Sequence, residues 1–445
     1  MASAAEQLAA NMNFQSFAKA KELQQRILFT LGALVIYRLG TYIPMPGIDP
    51  VAFSNLFQNS AGGILGMVNM FSGGAVERMA IFALNIMPYI SASIIMQLMT
   101  TVSTQLEALK KEGEQGRKQI NQYTRYLTVV LAAVQAFAIG NGLQASGAVT
   151  NPGPFFLAST VITLVGGTLF LMWLGEQVTA RGVGNGISLI IFAGIVAELP
   201  RALFQTLELG SQGVLSGGVI LGLLVMIVAV ISFIVFVERA QRRLIVQYPK
   251  RQVGNRMFGG ETSHLPLKIN TAGVIPPIFA SSLLLLPLTL ASVQADGGPE
   301  WITRVTTLLG HGQPLYMAVY AGLIIFFCFF YTAIVFNPED TADNLKKYGG
   351  FIPGIRPGKR TAEYIDYVLT RLTVVGSMYL TLVCLLPEFL IAQNPAAFAA
   401  TFFGGTSLLI MVTVTMDTVA QVQSHLLAHQ YEGLIKKSKL RGSRR

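Results

Sequence analysis

Hydrophobic positions gather into ten long runs, near 27–43, 76–99, 123–141, 155–175, 186–206, 214–237, 272–293, 315–336, 367–390 and 403–423. Each falls in the range of about 17–25 residues that carries a helix across a bilayer. None alternates with the period of two that a barrel strand shows. Backbone amides in lipid must be bonded within their own segment, so the runs predict helices. The fold class that follows is an all-α polytopic membrane protein with ten transmembrane helices. Ten divides as two five-helix halves, each odd, so the second half enters from the opposite face. That parity permits a pseudo-twofold inverted repeat. One apolar stretch breaks the pattern. Residues 60–75 read SAGGILGMVNMFSGGA, a glycine-bracketed segment too short to span. It predicts a re-entrant or plugging element.

Composition agrees with this picture: 52% of the residues are hydrophobic, 12% are charged, and the mean hydropathy is +0.54. Charge placement adds direction. All but four of the 32 Lys and Arg lie on the N-terminus, the even-numbered loops or the C-terminus; the exceptions are Arg38, Arg78, Arg201 and Arg304. The positive-inside rule then puts both termini in the cytoplasm, as an even number of spans also requires. The first 20 residues are polar, and no cleavable signal peptide is expected. The net charge of +10 follows largely from topology, with anionic lipids as natural counterparts.

The expected organisation is a cytoplasmic N-terminus (1–26), a first five-helix half (27–206), an outer linker (207–213), a second half (214–423) and a cytoplasmic tail (424–445). Two basic, turn-rich loops, 238–268 and 337–371, interrupt the second half. Loops this large between membrane helices are usually functional.

Catalytic chemistry is missing from the pattern. There is no Walker loop, and the glycines at 182, 184 and 186 follow no strand. His425 and His429 are four apart but lack a carboxylate partner in register, while His264 and His311 stand alone. Cys328 and Cys384 fall inside apolar runs and read as core thiols. Asp417 and Glu176, the acids nearest the membrane interior, sit toward cytoplasmic ends, away from a midplane ion site. The expectation is a non-enzyme without cofactor or metal, which moves its substrate on energy from a partner. A solute transporter would need a polar midplane site, and a non-conducting scaffold would need no plug.

Specific strings then accumulate: IMPYISASIIMQ (86–97), KEGEQGRKQINQYTRY (111–126), WLGEQVTARGVGNGI (173–187), NPEDTADNLKK (337–347), FIPGIRPG (351–358) and GGTSLLI (404–410). Together, and in this order over nearly the whole chain, they closely resemble the SecY/Sec61-alpha family of protein-conducting channels. The resemblance implies an hourglass pore in the bacterial plasma (inner) membrane, a passive channel for unfolded secretory proteins that releases membrane proteins sideways into lipid. Its neck would be a pore ring of Ile86, Ile90, Ile187, Ile191, Ile278 and Ile410. A narrow apolar ring offers hydrated ions no ligand and gates by dewetting.

The short segment maps onto the family's plug, at 62–73, with Gly62, Gly63, Ile64, Leu65, Met67, Asn69, Met70, Phe71 and Gly73. Its glycines suggest mobility, and Asn69 and Ser72 suggest a water-facing cavity. A lateral gate for signal peptides and other apolar segments would use Pro88, Ser91, Ser93 and Gln97 on the second span. On the seventh it would use Pro276, Pro277, Ser281, Ser282 and Leu286. Prolines loosen helices, and weak polar contacts let the seam part. Arg242, Arg243, Lys250, Arg251 and Arg356 would meet the SecA ATPase or the ribosome. SecE and SecG complete the implied heterotrimer, nascent polypeptides are its cargo, and SecD/SecF and YidC are accessory partners.

Overall fold

The computed structural model describes residues 20–49, 53, 57, 69, 72–145, 147–212, 216–249, 251–253, 256–258, 262–292, 313–393 and 405–442. Its helices, in chain order, are α1 (Lys21–Gly40), α2 (Met87–Val102), α3 (Thr104–Lys111), α4 (Glu114–Ala145), α5 (Pro154–Arg181), α6 (Gly186–Ser211), α7 (Gly217–Arg239), α8 (Ile275–Ser292), α9 (Pro314–Val335), α10 (Pro338–Lys347), α11 (Lys359–Gln393) and α12 (Gly405–Gly442). Each of the ten apolar runs overlaps a helix among the described residues. Among the described residues, seven helices are long and apolar enough to cross a membrane, while Met87–Val102 and Ile275–Leu284 are shorter apolar helices. The architecture is that of a helical polytopic membrane protein.

The run at 76–99 departs from a simple span. Residues 81–86 are turns, and the helix starts only at Met87, with Pro88 in its first turn. Proline is preorganised for that position, because its missing amide has no helical acceptor there. The segment before it bends where Gly73 and Gly74 take φ of 65° and 79°, and again where Met79 and Asn85 take 45° and 49°. Several of its backbone groups nonetheless find protein partners: Met45 N donates to Met79 O at 3.0 Å and Ile81 N to Ile43 O at 3.0 Å. Irregular backbone within an apolar stretch survives only when protein surrounds it. That condition is met here, since Val76, Met79, Ala83 and Leu84 join a core with Met45, Phe156 and Leu164.

Two compact units divide the chain. One comprises Met1–Phe204, Leu285–Thr306 and Ile410–Arg445, and the other Gln205–Leu284 and Thr307–Leu409. In the first, α4 packs on α5 and α2 packs on α4. Gly167 of α5 lets the turn segment pass close by, because a Cβ there would lie 2.2 Å from Ile81 O. In the second unit, α9 packs on α11. The expected loop 238–268 gains structure. β1 (Gln241–Gln247) pairs antiparallel with β4 (Thr262–Lys268), and β2 (Arg251–Val253) with β3 (Arg256–Phe258). Many large apolar side chains stay exposed, such as Leu221, Val225 and Phe236 on α7. Such a face suits lipid contact, because hydrocarbon tails solvate it without penalty.

Candidate functional site

A charged knot forms in the first unit where α1 ends, α6 passes and the turn segment begins. Glu77 receives a bidentate pair from Arg201, Nη1 to Oε2 at 2.5 Å and Nη2 to Oε1 at 2.7 Å. Fork-to-fork geometry of this kind is the strongest form of the ion pair. Glu198 on α6 is only 4% exposed. Its carboxylate lies 3.9 Å from Arg38, 3.8 Å from Arg78 and 3.9 Å from Arg201. Arg38 Nη1 also donates to Gly73 O at 2.5 Å, and the neighbouring Tyr37 hydroxyl donates to Ser72 O at 3.2 Å. Asn69 Oδ1 accepts from Glu77 N at 2.9 Å. Asn69, Ser72 and Gly73 are thus pinned by side chains of α1 and by the knot.

These contacts correct two expectations. Asn69 and Ser72 are buried and hydrogen-bonded to protein, rather than facing a water-filled cavity. Gly73 and Gly74 are buried and held, not loose. A Cβ on Gly74 would lie 2.5 Å from Glu198 Oε1, and one on Gly73 would lie 2.9 Å from Arg38 Nη1. The pair provides left-handed backbone and close approach together, which no other residue offers at so little strain. Of the plug residues named from the sequence, Gly62, Gly63, Ile64, Leu65, Met67, Met70 and Phe71 lie outside the described residues.

Each isoleucine of the expected ring stands near the start of its helix. Ile86 is the N-cap of α2 and is fully buried, and Ile90 N donates back to Ile86 O at 3.1 Å. Ile187 and Ile191 lie in the first two turns of α6, Ile278 in the first turn of α8, and Ile410 in the second turn of α12. Ile191 and Ile410 are buried. The start of α6 is tightly fixed within the first unit: Val183 N donates to Thr30 Oγ1 at 3.0 Å and Gly184 N to Gln421 Oε1 at 2.8 Å. The glycines at 182–186, which superficially suggest a nucleotide loop, are therefore packing residues.

The expected gate residues fall on two helices. On α2, Pro88 and Ser91 are buried, Ser93 is half-buried, and Gln97 has a buried Oε1 without a protein hydrogen-bond partner. On α8, Pro276, Pro277, Ser281 and Ser282 are buried, and the Ser281 hydroxyl donates to Ile278 O at 2.9 Å. Leu286 also falls on α8.

In the second unit the two basic loops are one object. Gln247 and Phe351 exchange backbone hydrogen bonds at 2.9 Å in both directions, joining β1 to the second loop. Beneath them Leu244, Leu267, Ile352, Ile365 and Val368 form a shared core. Alternation along β1 turns Leu244 and Val246 inward. Arg242 and Arg243 stay exposed. Arg356 is exposed on a turn between Pro353 and Pro357 and makes no ion pair among the described residues. Lys250 lies outside the described residues, and Arg251 falls on β2. In the first unit, α3 carries a local pair: Lys111 Nζ sits 2.7 Å from Glu107, and its hydrogen bond and charge hold that carboxyl below the usual range.

Sequence reasoning singled out Asp417 and Glu176 but missed the acids that matter here. Glu176 is paired with Arg125 at 2.6 Å. Glu198 and Glu388 sit inside apolar helices and are buried. A hydropathy scan absorbs one acid per run without notice, and the one signal for Glu198 was the set of stray arginines. Both cysteines are free and buried, and no cluster suited to a metal ion occurs among the described residues.

Comparison with known proteins supplies the family. The SecY family model matches residues 80–419. The protein translocase subunit SecY of Escherichia coli K12 is 56% identical over 426 residues, covering 95% of this chain and 96% of the relative. That of Pseudomonas aeruginosa is 57% identical over 423 residues, with 95% of each covered. Among solved structures, a protein-conducting channel aligns with TM-score 0.61 at 19% identity, over 90% of this chain and 92% of the other. A SecY structure described for its plug domain, which stabilises the closed state, aligns with TM-score 0.63 at 20% identity over the same shares. Canine Sec61 in a ribosome–channel complex aligns with TM-score 0.61 at 18% identity, again over 90% and 92%. A membrane-spanning helical fold, a short α2 behind a buried turn segment and a basic platform thus meet a match over nearly the full length, and the chain belongs to the SecY family, the channel subunits of the protein translocase, which are pores and not enzymes.

Proposed function

We propose that unfolded secretory chains cross the bacterial plasma membrane through a neck lined by Ile86, Ile90, Ile187, Ile191, Ile278 and Ile410. The observation that carries this reading is the buried, turn-built segment leading into a short α2, with Ile86 at the junction. A solute transporter does not require a shortened apolar helix rooted in charged protein. Bulky uncharged side chains at the starts of four helices block hydrated ions by dewetting and yield to a passing chain. Segment 62–73 is the plug. α2 and α8 are the walls of the lateral gate, through Pro88, Ser91, Ser93 and Gln97 on one and Pro276, Pro277, Ser281, Ser282 and Leu286 on the other. The unpartnered Gln97 Oε1 supports a seam of weak polar contacts, each worth about 0.6 kcal/mol in a membrane. A signal peptide opens the channel by binding the open state better than the closed one.

Both termini and the basic platform face the cytoplasm. Arg242, Arg243 and Arg356 then meet the SecA motor or the ribosome, whose carboxylates and phosphates suit guanidinium forks. SecE and SecG complete the heterotrimer, with SecD/SecF and YidC as accessory partners. Ile410→Asn is the direct test. In reconstituted translocase it raises export of a precursor with a defective signal sequence by about tenfold, equivalent to ~1.4 kcal/mol, while Ile410→Leu does not. Unchanged export by the Asn variant removes Ile410 from the neck.

A further inference from the structure

Three of the four arginines that lie off the basic side of the chain, Arg38, Arg78 and Arg201, converge on one buried carboxylate. The fourth, Arg304, lies outside the described residues. Convergence of three guanidinium groups needs a reason, because like charges brought together repel unless neutralised. Glu77 satisfies Arg201 through its bidentate pair and its charge also acts on Arg78, but not through a direct contact. Glu198 is the group that all three share.

We propose that Glu198 is a positioning residue for the resting channel: its charge holds Arg38 where that side chain grips the root of the plug at Gly73. The proposal rests on the reading of 62–73 as the plug. The link runs through a single guanidinium. Arg38 Nη1 donates to Gly73 O while its Nη2 lies 3.9 Å from Glu198. Arg38 and Arg78 also lie over the Tyr42 ring, at 5.1 and 4.2 Å, which fixes the guanidinium groups relative to each other. Arg78 Nη1 is buried and without a hydrogen-bond partner, and the carboxylate of Glu198, 3.8 Å from Arg78 Nη2, is its ion-pair partner.

The steric fit points the same way. The Glu198 carboxylate reaches the arginines across the space a Cβ on Gly74 would fill. Removing the Glu198 charge leaves Arg38 and Arg78 facing each other with one counter-ion fewer. Arg38 then turns toward solvent and releases Gly73 O, and the root of the plug keeps only the Tyr37–Ser72 and Asn69–Glu77 contacts. The knot thereby biases the closed state without touching the neck.

The experiment uses the complete translocase in planar bilayers, reading resting ion conductance, with thermal unfolding of each variant alongside. Deletion of 62–73 sets the scale. Glu198→Gln raises resting conductance about tenfold, which corresponds to ~1.4 kcal/mol in the closed–open balance, with the unfolding midpoint little changed. Glu198→Asp stays near the parent. Arg38→Lys keeps the charge but lacks the fork that reaches Gly73 O and Glu198 together, and it leaks like Glu198→Gln. If the deletion leaks while both Glu198→Gln and Arg38→Lys stay tight, the proposal is overturned. If Glu198→Gln does not fold, Arg38→Lys decides alone, and a tight channel counts against the knot. If the deletion itself does not leak, the plug reading fails first, and the two failures are told apart.

Discussion

The charged knot around Glu198 and the basic platform of β1, β4 and the 337–358 segment use arginine in opposite ways. In the knot, part-exposed guanidinium groups converge on the buried Glu198 carboxylate, and Arg38 also grips a backbone oxygen. On the platform, Arg242, Arg243 and Arg356 stand exposed above an apolar core that needs none of them. The same side chain is a structural clamp in one region and an available contact in the other. Burial makes the difference, because a charge removed from water must be paired at home, whereas a solvated one is free for a partner.

The largest effect that tests this contrast concerns the platform core. Leu244→Ala removes a buried anchor shared by both loops and costs about 2–5 kcal/mol locally. Hydrogen exchange is then expected to quicken at the amides of Gln247 and Phe351 together. Independent loosening of one loop would show that the shared core does not unite them. Next in size is Gly74→Ala in the knot. Both its φ of 79° and the missing space beside Glu198 oppose a methyl group, so a loss of about 1–3 kcal/mol is expected in thermal unfolding. An unchanged midpoint would mean that the knot tolerates displacement.

Smallest in stability is Arg356→Glu, which leaves unfolding within about 0.5 kcal/mol because the side chain is exposed and unpaired. Its consequence lies in function: motor-driven export falls about tenfold, or ~1.4 kcal/mol of partner binding, while membrane integration is less affected. Equal loss of both, together with a lower unfolding midpoint, would make Arg356 structural and erase the contrast.

Much of the fold was legible from hydropathy alone, since each apolar run overlaps a helix. The run at 76–99 was read as one span because hydropathy counts apolar residues without regard to φ. Met79 and Asn85 bend that stretch, and Pro88 fixes where the helix begins. The loops 238–268 and 337–371 were correctly seen as basic and turn-rich, but not as paired. Their union depends on Gln247 meeting Phe351, and no local pattern encodes that register. Asn69 and Ser72 were read as wet because polar side chains in an apolar segment usually seek water. Here protein donors and acceptors took that role.

By itself the sequence determined what is additive along the chain: how many segments suit lipid, which side collects positive charge, and to which family the ordered motifs belong. Only the tertiary structure decided which charges meet. Glu77 and Arg201 are 124 positions apart, and Gly184 and Gln421 are 237 apart. A partition into water or lipid depends on each segment's own composition. An ion pair or a backbone grip depends on a distance of a few ångströms, set only when α1, α6 and the turn segment have packed.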